Sequence, residues 1–399
     1  MVRPIAFAVE QWMDKYETTP GVLNVAETCA SSISLDELTS LAKEGDPALP
    51  VSTRARLTYG PILGSTALRN SVADIHNRDS QHQLNEDNVI ITQGGISANF
   101  LVLYSMLGPT DHVICVYPTY QQLYSVPESL GAKTSFWRLK AENGYIPDVN
   151  ELPDLVCKNT KMIIINNPNN PTGARIPTAV LRDIVDFAKE RGIIVMSDEV
   201  YRPLFHDAFE PNAELPPAIT AFGYERTIVT GSMSKAWAMA GIRIGWALSP
   251  STDIMSQLAM TRDYTTISVS QVDDQIATYA LSAAVRKPLL ERNVKLATRN
   301  LALIKSFVEK HSNICEWVCP NAGTTAFVLF KDKKGNPVND VEFCLGLLEA
   351  TKVFITPGSH CFGHDEDFAG YVRIGYVCET AVLEEALPKL AEYVERTLA

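Results

Sequence analysis

The chain has 399 residues, 46% apolar and 20% charged, a globular composition that excludes a disordered or collagen-like protein. At roughly 100–200 residues per domain, this length suits two domains. A formal net charge of −11 counts against a broad nucleic-acid surface, though not against single arginines gripping a small anion in a cleft.

No apolar run approaches the roughly 18 residues of a membrane span. Met1 to Glu10 is too short and too soon charged for a secretory signal. The eight cysteines form no CxxC, so neither a disulfide framework nor a zinc site is indicated. His360-Cys361 with His364 reads as a polar loop. The expectation is a soluble, cytoplasmic protein with reduced thiols.

The N-terminal 40 residues show no alternation of helix and strand and are expected to pack onto a second domain. From about Ser65 to Ser249, helical stretches at 66–78, 96–107, 119–130 and 178–190 alternate with short apolar runs. Those runs are Asn88–Thr92, His112–Tyr117, Lys161–Asn166, Gly192–Ser197 and Arg226–Thr230. Strands apolar on both faces and separated by helices predict a parallel sheet covered on both sides, with right-handed crossovers. Beyond Pro250 helices dominate, and Lys287–Lys310 reads as one long amphipathic helix. Strands near 325–330, 353–356 and 371–376 and helices at 338–350 and 380–398 follow. The predicted fold class is α/β: a large three-layer α/β/α domain over 45–285 with a mostly parallel sheet. A smaller α+β domain, 1–44 with 286–399, is joined to it through the long helix near 287–310, leaving a cleft between the two.

The residues able to do chemistry cluster after predicted strands, where open α/β sheets bind ligands. In Thr230-Gly-Ser-Met-Ser-Lys235, a lysine past a buried strand is poorly placed for solvent. Burial disfavours its ammonium and makes it a nucleophile able to form imines. Ser232 and Arg243 are a sensible pair of phosphate ligands. Asp198 and Tyr201 follow the next strand; a buried carboxylate there needs a cation, or else caps a helix. Asn170 sits in Asn166-Asn-Pro-Asn-Asn170-Pro-Thr-Gly173, a turn set by two X-Pro steps and a glycine. Gly95 and Ile96 open a helix whose amides are available to an anion. Tyr120 presents either a ring face to a planar ligand or a core side chain. Arg373, inside an apolar strand, must find an anion, which is either a ligand carboxylate or a structural partner. Trp237 and Trp246 read as core.

Together these elements resemble the fold-type I pyridoxal phosphate enzymes, in the class I/II aminotransferase group. The match runs over roughly 55–380, in the order Tyr59, Gly95, Tyr120, Asn170, Asp198-x-x-Tyr201, Ser232-x-x-Lys235, Arg243, Arg373. The resemblance implies pyridoxal 5′-phosphate held as an imine on Lys235, with Asp198 on its pyridinium nitrogen. It gives Asn170 and Tyr201 to the phenolic oxygen and Tyr120 to the ring face. Ser232, Arg243 and the amides of Gly95 and Ile96 would hold the phosphate. Tyr59 would reach the phosphate of a neighbouring subunit in a homodimer, and Arg373 with Asn170 would clamp the substrate α-carboxylate. The implied activity is transamination of an α-amino acid through an external aldimine and a quinonoid. No metal, nucleic acid or membrane is implied. The N-terminal segment, with Ala26-Glu27-Thr28-Cys29, lacks the usual G-x-P stretch. It resembles capreomycidine synthase and aminotransferase-like carbon–sulfur lyases, which keeps a lyase or cyclase as the alternative.

Overall fold

Side chains buried on both faces along most of their length put a seven-stranded sheet at the centre of the computed structural model, which describes residues 4–51, 54, 56–77, 80–81 and 83–398. Across the sheet the strands run Val89–Thr92, Gly245–Leu248, Thr227–Ser232, Ile194–Asp198, Thr160–Asn166, His112–Tyr117 and Lys133–Arg138. Gly245–Leu248 is antiparallel to both neighbours and every other pairing is parallel. The two-residue period of a strand sorts the apolar side chains into two cores. Ile91, Ile114, Ile163, Val195 and Val229 enter one; Ile90, Val113, Ile164, Met196 and Ile228 enter the other. The sheet is thus covered on both faces, as the apolar runs predicted.

Two strands of this sheet were not anticipated. Lys133–Arg138 is an edge strand in which Trp137 alone is fully buried, so it carries no apolar run. Gly245–Leu248 is only four residues long and begins on a glycine, too short a run to stand out. The run read as starting at Gly192 begins at Ile194 instead, because Gly192 ends the preceding helix at φ +66°.

A second, antiparallel sheet takes the strands Thr356–Pro357, Tyr371–Gly375, Thr325–Phe330 and Cys315–Trp317 in that order. The run 353–356 is therefore divided: Val353–Phe354 pairs in parallel with Leu23–Asn24, tying the N-terminal segment to this part of the chain. Helix Ala8–Tyr16 is fixed there as well, since the Trp12 indole donates to the Ile355 carbonyl at 3.1 Å. Helix Arg286–Lys310 is continuous over 25 residues. Trp237 and Trp246 are core side chains.

Parallel strands in register bring their C-terminal ends together. Asn166 stands opposite Asp198, and Asp198 opposite Thr230. Beside them the antiparallel strand passes so close to the start of helix Gly94–Met106 that a Cβ on Gly245 would lie 2.6 Å from both the Gly94 oxygen and the Gly95 nitrogen. Gly245→Ala should therefore destabilise the protein by ~1–3 kcal/mol through overpacking. Urea denaturation measures this, and an unchanged midpoint would show that the strand and helix are not in tight contact.

Candidate active site

Asp198 ends its strand 2% exposed, and no lysine or arginine forms an ion pair with it among the described residues. One carboxylate oxygen accepts from the Asn99 amide at 2.9 Å and the other from the Val200 backbone N–H at 3.2 Å. Asn99 is itself fixed, accepting from the Thr230 hydroxyl at 2.6 Å. Burial pushes the carboxyl up to about 6, and the bonds from Asn99 and Val200 only partly offset this. The alternative reading of Asp198 as a helix cap does not hold, because no helix follows it; one oxygen only bonds a local turn amide, that of Val200.

Lys235 faces Asp198's cavity from the loop after Thr227–Ser232. Its Nζ donates to the Thr28 hydroxyl at 2.6 Å and to the Cys29 sulfur at 3.5 Å, with a Glu27 carboxylate oxygen at 3.7 Å. Burial works to lower its basicity, but Cys29, Tyr201 and Glu27 outweigh it and hold the amine above its ordinary value. Of those three groups only Glu27 is anionic near neutrality. Burial lifts the Cys29 thiol to about 11 and raises the Tyr201 phenol, whereas the Glu27 carboxyl is brought down to about 2. Burial opposes that last shift; Lys235 and the hydrogen bonds from residues 28 and 29 overcome it.

Residues 25–30 are threaded between the two sheets. The Gly375 amide donates to the Val25 carbonyl, Arg373 donates to the Ala26 carbonyl at 2.9 Å, Thr324 donates to the Thr28 carbonyl, and the Ala30 amide donates to the Lys235 carbonyl. This backbone fixes Glu27, Thr28 and Cys29 beside the lysine.

The far side of the cavity suits an anion. Helix Gly94–Met106 has no side-chain cap, leaving the first amides of a long helix without a local acceptor. Gly95 is required there, because a Cβ would lie 2.9 Å from Val200 and 3.2 Å from Ser232. Ser232 donates to the Ser234 hydroxyl at 2.8 Å. Arg243, in the left-handed region at φ +51°, donates to the Ala240 carbonyl.

Arg373, 3% exposed, donates to Asn170 at 3.3 Å, to Ala26 and to Thr356. All these acceptors are uncharged, so the structural ion pair left open by the sequence is not what holds it. Its buried Nε has no hydrogen-bond partner among the described residues. Asn170 is set by Asn166, whose side-chain oxygen accepts from the Asn170 amide at 2.7 Å. Tyr120 donates its hydroxyl to Glu10 at 2.7 Å.

One cavity of about 520 Å³ is lined by Gly95, Ile96, Tyr120, Asn170, Asp198, Tyr201, Ser232, Lys235, Arg243 and Arg373. Tyr59 is the exception: it is 78% exposed and lies outside this lining. Sequence reasoning missed Asn99, Asn166 and Ser234 as lining residues, whereas Glu27–Cys29 lies in the N-terminal segment that the family resemblance put beside the substrate. Ser234 and Asn166 lay inside quoted motifs, whereas Asn99 carries no local signal. The cavity can accept a planar cation against Asp198, a dianionic tail at the helix start, and an aldehyde or imine at Lys235.

A family model described as aminotransferase class I and II matches residues 29–390. The chain is 34% identical to a structurally characterised PLP-dependent aminotransferase from Streptococcus suis, with 99% of each chain covered and a TM-score of 0.86. It is 29% identical to aspartate aminotransferase of Pyrococcus horikoshii, over 84% of this chain and 83% of the relative. It is 28% identical to capreomycidine synthase of Streptomyces vinaceus, over 87% and 84%.

The raised Asp198 pKa has a defined sign. A carboxyl at about 6 when folded and near 3.8 when unfolded favours the folded cofactor-free protein at low pH; that contribution is lost as pH rises through 6. The melting temperature of cofactor-free Asp198→Asn, relative to the unsubstituted protein, should therefore climb between pH 4.5 and pH 7.5 (conditions bracketing that value). A difference that does not vary with pH would show that Asp198 is not buried without a cation.

Proposed function

The chain belongs to the class I and II aminotransferases and is a pyridoxal phosphate-dependent enzyme, and from this premise we propose that it moves the amino group of an α-amino acid onto a keto acid. The observation that carries the reading is the convergence of Asp198, a buried carboxyl without a cation, and the Lys235 amine on one cavity. Pyridoxal phosphate, when bound, supplies an aldehyde that condenses with amines and a ring that takes up the electron pair of a carbanion.

This chain's residues do the rest. Asp198, oriented by Asn99, would hold a proton on the pyridine nitrogen. Asn170 and Tyr201 would hydrogen-bond the phenolic oxygen, and Tyr120 would pack on the ring. The amides of Gly95 and Ile96, with Ser232 and Arg243, hold the phosphate; Ser234, bonded to Ser232, joins them. Arg373 grips the substrate carboxylate with two nitrogens, helped by Asn170, which fixes the Cα–H bond relative to the ring. The Lys235 nitrogen would then accept the proton from Cα as general base. The Thr28 hydroxyl, 2.6 Å from that nitrogen, holds it in place.

The same reading makes 45–285 the cofactor-binding domain, and 1–44 with 286–399 the smaller domain that closes on the substrate. It also makes the active unit a cytoplasmic homodimer, Tyr59 reaching the phosphate of a second copy. Supporting the dimer, Leu57, Tyr59, Ile62, Met260 and Tyr264 are large apolar side chains left exposed on a single copy. For the cytoplasm, the support is eight unpaired cysteines and the lack of any described helix long and apolar enough to cross a membrane.

A lyase or cyclase is the second reading, favoured by the similarity to capreomycidine synthase and by Glu27-Thr28-Cys29 beside the lysine. Mixing the pyridoxal phosphate form with amino acids in the absence of any keto acid separates the two. Transamination predicts one equivalent of keto acid and a pyridoxamine form that a keto acid reverses, with Lys235→Ala inactive. Repeated turnover without keto acid, releasing ammonia or a cyclised product, would overturn it in favour of the second reading.

A further inference from the structure

The cavity is electrically two-sided. Arg373, Lys235 and Arg243 line it, and so do, besides Asp198, the carboxylates of Glu10, Asp14, Glu17 and Glu27. The first three come from helix Ala8–Tyr16 and its C-terminal cap, Glu17, at positions i, i+4 and i+7, and therefore share one face.

The helix dipole favours Glu10 in the first turn, but nothing in the helix favours Asp14 and Glu17. Like charges at i, i+4 repel, and acids in the last turn and at the C-terminal cap oppose the helix dipole. Burial raises the Glu17 carboxyl first, and the neighbouring Glu27, Glu10 and Asp14 raise it further. Among the described residues no lysine or arginine forms an ion pair with Glu10, Asp14 or Glu17, and the hydroxyl of Tyr120 is a neutral donor to Glu10. Glu27 has Lys235 at 3.7 Å, but Lys235 must be uncharged to accept a proton, and Glu27 then also faces the cavity without a cation.

Two further observations bear on the missing charge. Arg373 lines the same cavity, donates only to uncharged groups and forms no ion pair with a carboxylate among the described residues, which calls for a ligand with a carboxylate end. No group of acids, histidines or cysteines among the described residues is close enough together to hold a metal ion. The charge that answers the acidic wall is therefore spread over an organic group. Val9 and Met13, one helical turn apart on the same helix, line the cavity beside the acids and offer a surface for methylenes.

We propose that the acidic wall of helix Ala8–Tyr16 with Glu17 and Glu27 binds the substrate's side chain, and that the substrate is an α-amino acid ending in an ammonium or guanidinium on an aliphatic stem. This rests on the cavity being the amino-acid site of an aminotransferase-family enzyme. The α-carboxylate goes to Arg373, the α-amine to the cofactor beside Lys235, and the distal cation to the carboxylates.

The test uses the pyridoxal phosphate-loaded enzyme and follows the cofactor's absorbance on mixing with matched amino acids. L-arginine is compared with its uncharged isostere L-citrulline, and L-lysine with L-norleucine; the two arms distinguish guanidinium from ammonium. The second-order rate constant should favour the cation by about 100-fold or more in at least one arm, and Asp14→Asn with Glu17→Gln should reduce that ratio by about tenfold or more. The comparison on the unsubstituted enzyme needs no variant to fold. If neutral amino acids react as fast as cationic ones, the charge assignment is wrong while the aminotransferase reading stands. If a cofactor bound through Lys235 responds to no amino acid at all, that reading fails and this one with it.

Discussion

A carboxyl group buried at the end of a sheet strand, with no ion-pair partner among the described residues, is the constraint around which the cavity is organised. Water would stabilise Asp198, but the fold denies it water and supplies only the Asn99 amide and one backbone N–H. Such a group is costly when ionised. It becomes favourable once a protonated ring nitrogen stands against it, so the surroundings of Asp198 favour the cofactor's cationic form. Parallel register makes this possible, since it aligns Asn166, Asp198 and Thr230 at one edge.

The second organising element is the extended segment 25–30. It hydrogen-bonds on one side to the strand carrying Arg373 and on the other to the loop carrying Lys235. Arg373 and Lys235, the two groups proposed to meet opposite ends of an amino acid's backbone, are thereby spaced by main chain rather than by flexible side chains. The same segment presents Glu27, whose carboxylate accepts from its own following amides, at 2.6 Å from the Thr28 nitrogen and 3.0 Å from that of Cys29. A side chain pinned in this way keeps its charge on the cavity.

The legible parts of the sequence were those whose signal is local. Apolar runs such as His112–Tyr117 declare a doubly covered strand, and the family motif placed Lys235, Asp198 and Asn170 at strand ends. Lys133–Arg138 escaped because an edge strand needs no apolar run. Asn99 lies in the middle of a helix, and its contact with Asp198 spans 99 residues of sequence; the Tyr120–Glu10 bond spans 110. No periodicity encodes such pairs. The acids at 10, 14 and 17 look like an ordinary solvated helix face until the fold turns that face towards Arg373 and Lys235.

The most direct measurement is a crystal structure of the enzyme grown with pyridoxal phosphate. The account predicts continuous density from the Lys235 nitrogen to the cofactor, the ring nitrogen within hydrogen-bonding distance of Asp198, and the phosphate at the start of helix Gly94–Met106. A cofactor attached elsewhere, or a ring whose nitrogen points away from Asp198, would contradict it.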